Sequence, residues 1–250
     1  MKVKKPIQEA TQLPMPKNKL PLQHIAIIMD GNRRWADSRK LPRLLGHREG
    51  VKSLKRLVNH VGKLGLPYLT VYAFSSENWQ RSQEEVDYLF ELFALVIKEE
   101  LRELHDNNVR LSFVGQLERM PANLKRSFDK AMDQTADNIG LHLQVAINYG
   151  SRLEISEAIK KIAYDIKCGA LTMEEISEEL IEEYLYTKGL PDPELIIRTG
   201  GQMRLSNYML WQAAYAEFYM TPVLWPDFTP ECFDTAIEDF RQRERRFGGD

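Results

Sequence analysis

His24-Ile-Ala-Ile-Ile-Met-Asp-Gly-Asn-Arg-Arg-Trp35 is the stretch on which the reading of this chain turns. An apolar run ends abruptly in a carboxylate, a glycine, an amide and two arginines. A short apolar run bounded by a turn signal reads as a buried strand. Gly31 lets the backbone turn sharply. Successive N–H groups in such a turn, followed by a helix N-terminus, make a concavity that suits an anion. Asp30 repels bare phosphate but suits phosphate held through Mg²⁺, which takes carboxylate and phosphate oxygens together. The segment therefore predicts a strand-end site for a magnesium-bound phosphorylated ligand.

Outward from this run, short apolar segments alternate with longer amphipathic ones. Strands are predicted at 24–29, 68–74, 109–115, 141–147, 194–198 and 216–224. Helices are predicted at 48–64, 83–106, 121–137, 152–168, 173–187, 206–213 and 230–246. The alternation predicts an α/β fold, a mostly parallel sheet covered by helices in a single domain. Polar clusters follow four of the strands: Met29–Asn32, Ser75–Trp79, Asn148–Arg152 and Arg198–Gly201. Ligands of open α/β sheets bind outside the carboxyl ends of the strands, so these clusters should converge on one rim.

Composition narrows the function. The chain has 250 residues and a net charge of −2, so no overall basic field points to nucleic acid. Cys168 and Cys232 lie far apart without zinc spacing, which fits a reducing compartment. No apolar run reaches the ~18 residues of a membrane span. Residues 1–22 carry five lysines and four prolines and read as a flexible tail rather than a signal or anchor. No GxxxxGK[ST], GxGxxG or HExxH motif occurs, which argues against a P-loop enzyme, a Rossmann dehydrogenase and a zincin.

The rim is rich in arginine: Arg33, Arg34, Arg43, Arg81, Arg198 and Arg204 flank the motifs. Guanidinium stays charged and grips two phosphate oxygens at once, so several of them predict more than one phosphate group. Ser75, Ser76 and Ser206 add hydroxyl donors and His47 a switchable imidazole. The accompanying carboxylates are Asp30, Glu77 and Glu217, and Asp30 with Glu217 would make a sparse magnesium site. Trp35 and Trp79 inside the polar motifs suggest a ligand with an apolar part. The helix at 83–106 is apolar over more than one face, with Leu92 and Leu95 off the main stripe. It is either a central core helix or a wall of an apolar cavity.

These residues resemble the cis-prenyltransferase family, and bacterial undecaprenyl diphosphate synthases most of all. The likeness runs through His24–Trp35, Gly46-His47, Tyr72–Trp79 with Arg81, Asn148-Tyr-Gly150 with Arg152, Arg198-Thr-Gly-Gly201, Arg204-Leu-Ser-Asn207, Trp211-Gln212, Tyr215-Ala-Glu217 and Arg245-Arg-Phe-Gly248. It covers about residues 22–249. The resemblance implies a six-stranded, mostly parallel sheet with an apolar product tunnel, working as a homodimer in the cytoplasm, with peripheral contact to the inner face of the membrane possible. It implies that an allylic starter, farnesyl diphosphate, is extended by isopentenyl diphosphate with Mg²⁺ into a polyprenyl carrier lipid for cell-wall polysaccharides.

The family's roles transfer by position. The resemblance implies that Asp30 binds Mg²⁺, completed by Glu217. It implies that Gly31, Asn32, Arg33 and Arg34 cradle the allylic diphosphate beside Arg43 and His47. Trp35, Ser75, Ser76 and Glu77 would position substrate, Asn78 would orient the route of the departing proton, and Trp79 and Arg81 would support that loop. Arg198, Arg204, Leu205 and Ser206 would hold isopentenyl diphosphate. Arg246 and Gly248 would complete the neighbouring subunit's site. Three positions depart from the usual family pattern: Arg33, Gln202, and Ser151 where a second glycine is common. A non-catalytic partner subunit and a phosphate-ester hydrolase are the competing readings. The first should lack Asp30 and the arginines; the second leaves the apolar helix unexplained.

Overall fold

The computed structural model describes residues 22–243. In chain order the elements are β1 (His24–Ile28), α1 (Asn32–Ser38), α2 (Arg43–Leu64), β2 (Tyr68–Ser75), α3 (Gln83–Asp106), β3 (Arg110–Val114), α4 (Ala122–Thr135), β4 (His142–Tyr149), α5 (Ser151–Lys167), α6 (Glu178–Tyr184), β5 (Leu195–Arg198), β6 (Glu217–Met220) and α7 (Pro230–Gln242). The strands form one six-stranded sheet in the order β3-β4-β2-β1-β5-β6. Every pairing is parallel. Because crossover helices cover both faces of such a sheet, central strands become apolar throughout. All five residues of β1 are buried, and so are all four of β5.

The two faces differ. On one, Ile25, Ile27, Leu69, Val71, Leu111, Leu143 and Ile197 form the larger core with residues of α2, α3, α4 and α7. On the other, Ala26, Ile28, Tyr72, Ala146 and Ile196 pack against Tyr208, Met209 and Ala213 of the segment before β6. Tyr72 stacks on Tyr208 with ring centroids 4.4 Å apart.

All six predicted strands are present, and the helix predicted at 83–106 is α3. Three expectations need correction. Residues 206–213 form a chain of turns rather than a helix. Ser206 (φ 51°), Asn207 (φ 61°) and Met209 (φ 47°) occupy the left-handed region, which ends any right-handed helix. The stretch 173–187 splits into a 3₁₀ turn, Met173–Glu175, and α6, because the Ser177 side chain caps the backbone N–H of Leu180 and starts a new helix. The helix predicted from residue 48 begins at Arg43, directly after Pro42, and α1 precedes it. Two glycines, Gly46 and Gly50, obscure this start in the sequence, yet the close packing of α1 on α2 requires them. A Cβ at Gly46 would lie 2.1 Å from the Asn32 carbonyl oxygen. The predicted tail and Arg246 and Gly248 lie outside the described residues, apart from Leu22.

One buried polar cluster crosses the sheet away from the site. His24 donates from Nδ1 to the Pro191 carbonyl at 2.6 Å, which leaves Nε2 to accept from the Thr70 hydroxyl at 2.7 Å. Burial lowers the His24 pKa to about 4, against the pull of the Pro191 bond. The folded protein thus binds fewer protons than the unfolded chain between about pH 4 and 6.5. Stability from this group is full above 6.5 and declines as pH falls toward 4, by roughly 3 kcal/mol. Burial moves His142, also to about 4, in the same direction. Thermal melts should show Tm falling steadily from pH 7 to pH 4.5, and His24→Gln should flatten part of that slope.

Candidate active site

Since the sheet is wholly parallel, the carboxyl ends of β1, β2, β4 and β5 share one rim. The Asp30, Ser75–Trp79, Asn148–Gly150 and Arg198–Gly201 segments all lie there. Gly31 turns the chain at φ +121°, and a Cβ at that position would meet Leu224 at 2.9 Å. A larger residue is therefore excluded by both strain and space.

Asp30 is the centre of the first cluster. Its Oδ1 accepts from Arg34 Nη2 at 3.0 Å and its Oδ2 from Arg198 Nη2 at 2.9 Å. Arg198 is only 4% exposed. Its Nη1 donates to Ser206 Oγ at 2.7 Å and to the Arg204 carbonyl. One guanidinium thus ties the β1 turn to the segment carrying Arg204, Leu205 and Ser206. Its Nε is a buried donor with no acceptor among the described residues. Arg34 also donates to the Gly200 carbonyl at 2.6 Å.

A second cluster forms around Glu85, at the start of α3. Its carboxylate takes Arg81 Nη1 at 2.7 Å, His47 Nε2 at 3.3 Å and Arg33 Nε at 3.9 Å. Burial pushes the Glu85 carboxyl up, but the Arg81 and Arg33 guanidiniums outweigh it and hold it below the usual range. Burial and Arg81 lower the His47 pKa, with Glu85 opposing. The ring is thus a neutral hydrogen-bonding group at neutral pH. Glu85 was not among the sequence candidates. Its signal is local: the Ser82 side chain accepts its N–H at the start of α3, and Arg81, four residues before it in the preceding loop, reaches its carboxylate.

Asn207 is the other residue whose part the sequence did not reveal. Its Nδ2 donates to Glu77 at 2.8 Å, its Oδ1 accepts the Arg152 N–H at 2.9 Å and its carbonyl accepts the Ser151 N–H at 2.8 Å. It therefore locks three rim segments together. Ser151 supports the same corner, its hydroxyl accepting the Leu210 N–H at 2.9 Å. A glycine there could not make this bond.

Other predicted residues have mainly positioning contacts. Asn78 Oδ1 accepts the Ser75 N–H at 3.1 Å, closing a reciprocal cap on the 3₁₀ turn Ser76–Gln80. This bond fixes the Asn78 amide within the loop. Ser76 lies against Gly150, where a Cβ would approach its Oγ to 2.4 Å. Trp79 Nε1 donates to Asn148 at 2.7 Å, and its ring meets Phe74 and Phe90 edge-on. Trp35 Nε1 donates to Asp227 at 2.7 Å, with the Arg39 guanidinium over its ring. Arg43 pairs with Asp37 at 2.9 Å on the surface, outside both clusters.

Glu217 does not join Asp30 within the chain. It pairs in register with Leu195, which pairs with Ile25. Glu217 is therefore level with a residue five positions before Asp30, about 16 Å away along the strands. It is bound instead to Arg243 at 3.0 Å. Within one chain the two carboxylates stay apart because Glu217 begins its strand while Asp30 follows the end of its own. Among the described residues no group of three or more His, Cys, Asp or Glu side chains could hold a metal.

An apolar cavity of about 150 Å³ opens beside these clusters, between the larger-core face of the sheet and helices α2 and α3. Met29, Asn32 and His47 line it next to the site, and Ala73, Leu92 and Ile147 are also in its wall. Ala73 reaches it through a bulge: Tyr72 pairs with Ala146 and Phe74 with Ile147, leaving Ala73 without a counterpart. The two-sided apolarity of α3 is thereby explained, since it packs on the core and walls a cavity at once.

A parallel sheet with phosphate-type clusters on its rim and an apolar cavity beneath is the architecture of the cis-prenyltransferases. Residues 28–248 match the family described as "Putative undecaprenyl diphosphate synthase". The chain belongs to this family and is an isoprenyl transferase. It is 49% identical over 246 residues to the isoprenyl transferase of Clostridium perfringens, covering 98% of this chain and 97% of that one. Identity to the isoprenyl transferase of Brucella abortus is 53% over 227 residues, covering 91% and 89%. Among solved structures, lavandulyl diphosphate synthase from Lavandula x intermedia, in complex with dimethylallyl diphosphate, superposes with a TM-score of 0.88. It is 36% identical, over 91% of this chain and 98% of that one. A protein described as a probable undecaprenyl diphosphate synthase from Campylobacter jejuni gives 0.76 at 34% identity, over 92% and 100%.

Proposed function

We propose that the protein extends farnesyl diphosphate with isopentenyl diphosphate units, in cis and with Mg²⁺, to a long polyprenyl diphosphate, undecaprenyl diphosphate. The observation that carries this reading is the contact between arginine-rich strand ends and an apolar cavity. A diphosphate head can sit on the first while its hydrocarbon enters the second. Each buried CH₂ contributes about 0.8 kcal/mol, so the cavity favours a growing chain.

Two sets of groups on the rim, one on each side of Asp30, suit two diphosphates. Gly31, Asn32, Arg33 and Arg34 cradle the allylic one, with His47 and Arg81 behind them. Arg198, Arg204, Leu205 and Ser206 receive isopentenyl diphosphate. Asp30 stands between the two. A single carboxylate flanked by guanidiniums fits Mg²⁺ completed by phosphate oxygens and water, as this ion prefers. When bound, Mg²⁺ draws off negative charge from the departing diphosphate. The arginines add preorganised positive charge at the same place. Glu85 and Asn207 hold those groups in position, and Asn78 and Trp79 hold the loop that presents Ser75, Ser76 and Glu77. No described helix is long and apolar enough to cross a membrane. A cytoplasmic homodimer touching the membrane surface, with Arg246 and Gly248 completing the partner's site and the product serving as a cell-wall carrier lipid, accords with this reading.

The test is incubation with farnesyl and isopentenyl diphosphates, with and without a chelator, followed by product sizing by mass spectrometry. Polyprenyl diphosphates of about eleven units and release of diphosphate are expected, both lost on chelation. Release of inorganic phosphate without chain growth would refute the assignment. Ala73→Leu should fill the cavity near its mouth, so that short products accumulate while the first condensation survives. An unchanged product distribution in that variant would remove the cavity from the account.

A further inference from the structure

The cavity wall is apolar almost throughout, and among the described residues its only Asp, Glu, Lys or Arg side chains are Lys55, Glu100 and Glu103. They stand together. Lys55 Nζ, on α2, lies 2.6 Å from Glu100 and 2.8 Å from Glu103, both on α3. Asn59, one turn further along α2, donates to Glu103 at 3.2 Å and accepts from Asn107 at 3.4 Å. The hydrogen bonds to Glu100 and Glu103 raise the Lys55 pKa to about 12, so its ammonium stays charged at neutral pH.

The position is informative. Both helices begin at the diphosphate rim, where His47 meets Glu85, and run away from it. Lys55 lies about 12 Å along α2 from His47, and Glu100 about 22 Å along α3 from Glu85. The ionic cluster thus bridges the cleft between the helices over the deep part of the cavity. Its side chains are 24–45% exposed. Water screens such pairs and they are individually weak, so they can open.

We propose that Lys55, Glu100 and Glu103, steadied by Asn59, form an ionic strap across the α2–α3 cleft that limits how long a hydrocarbon the cavity retains. The inference rests on the prenyl-elongating reading above. A chain that reaches the strap must either stop or part the two helices. Apolar neighbours such as Val58, Val96 and Leu101 would admit the chain laterally once the strap opens.

The test compares Lys55→Met, the double variant Glu100→Gln/Glu103→Gln, and the charge-swapped triple variant Lys55→Glu/Glu100→Lys/Glu103→Lys. Each is assayed at saturating farnesyl and isopentenyl diphosphates, with circular dichroism to establish folding. Severing the strap should lengthen the main product by one or more isoprene units, with the first-condensation rate within twofold of wild type. The swapped variant should return the distribution toward wild type, which a loss of general stability would not do. Unchanged or shortened products in folded strap variants would overturn the strap while leaving wild-type elongation intact. Absence of elongation in the wild type itself would instead refute the function on which the strap rests.

Discussion

Replacing Asp30 with asparagine should lower turnover roughly a thousandfold or more while the protein remains folded. Asp30 carries the carboxylate at the end of β1 and is held between Arg34 and Arg198. In the proposed reaction it organises positive charge against the departing diphosphate. Removing such a group lowers kcat and kcat/KM together, because its contribution grows as the bond breaks. Asparagine is the better substitution. Alanine would take from the buried Arg198 guanidinium both its anion and its hydrogen-bond acceptor, whereas asparagine removes the charge and keeps an amide oxygen for the bond. Steady-state kinetics with a melting curve decides the matter. Turnover within tenfold of wild type in a folded Asp30→Asn protein would refute the role.

Arg198→Ala should raise the KM for isopentenyl diphosphate roughly a hundredfold, about 3 kcal/mol of binding. Arg204→Ala should do less. The difference comes from geometry. Arg198 is buried and bonds Asp30, Ser206 and the Arg204 carbonyl at once, whereas Arg204 is exposed. Loss of Arg198 therefore removes a phosphate ligand and also loosens the segment bearing the others. Arg198→Lys should rescue poorly, since one ammonium cannot reproduce a planar fork with three directions of bonding. Initial-rate measurements with isopentenyl diphosphate varied provide the check. Equal KM values for the Arg198→Ala variant and wild type would exclude this assignment.

These expectations rest on parts of the molecule that differ in how far the sequence discloses them. The strand at His24–Ile28 is legible because five buried residues in a row leave no other reading before Asp30-Gly31. The clustering of polar motifs at strand ends is legible because parallel topology sends every such end to one rim. The helix Gln83–Asp106 is legible as unusual, though the sequence alone did not choose between core and cavity wall. Residues 206–213 misled because helical spacing of their apolar side chains outweighed the one local sign of a left-handed turn, Asn207, while Ser206 and Met209 give none.

What the sequence determined by itself is what depends on neighbours along the chain: strand and helix periods, the Gly31 turn, and the residue types that bind phosphate. Tertiary structure decided what depends on neighbours across the fold. It separated Glu217 from Asp30, because strand register places one at the start of β6 and the other beyond the end of β1. It made Glu85 the shared partner of Arg33, His47 and Arg81, residues contributed by α1, α2 and the loop before α3. It gave Asn207 its place among three loops. Hydrogen bonds and ion pairs act over a few ångströms, so their partners follow from packing geometry, which spacing along the chain does not encode.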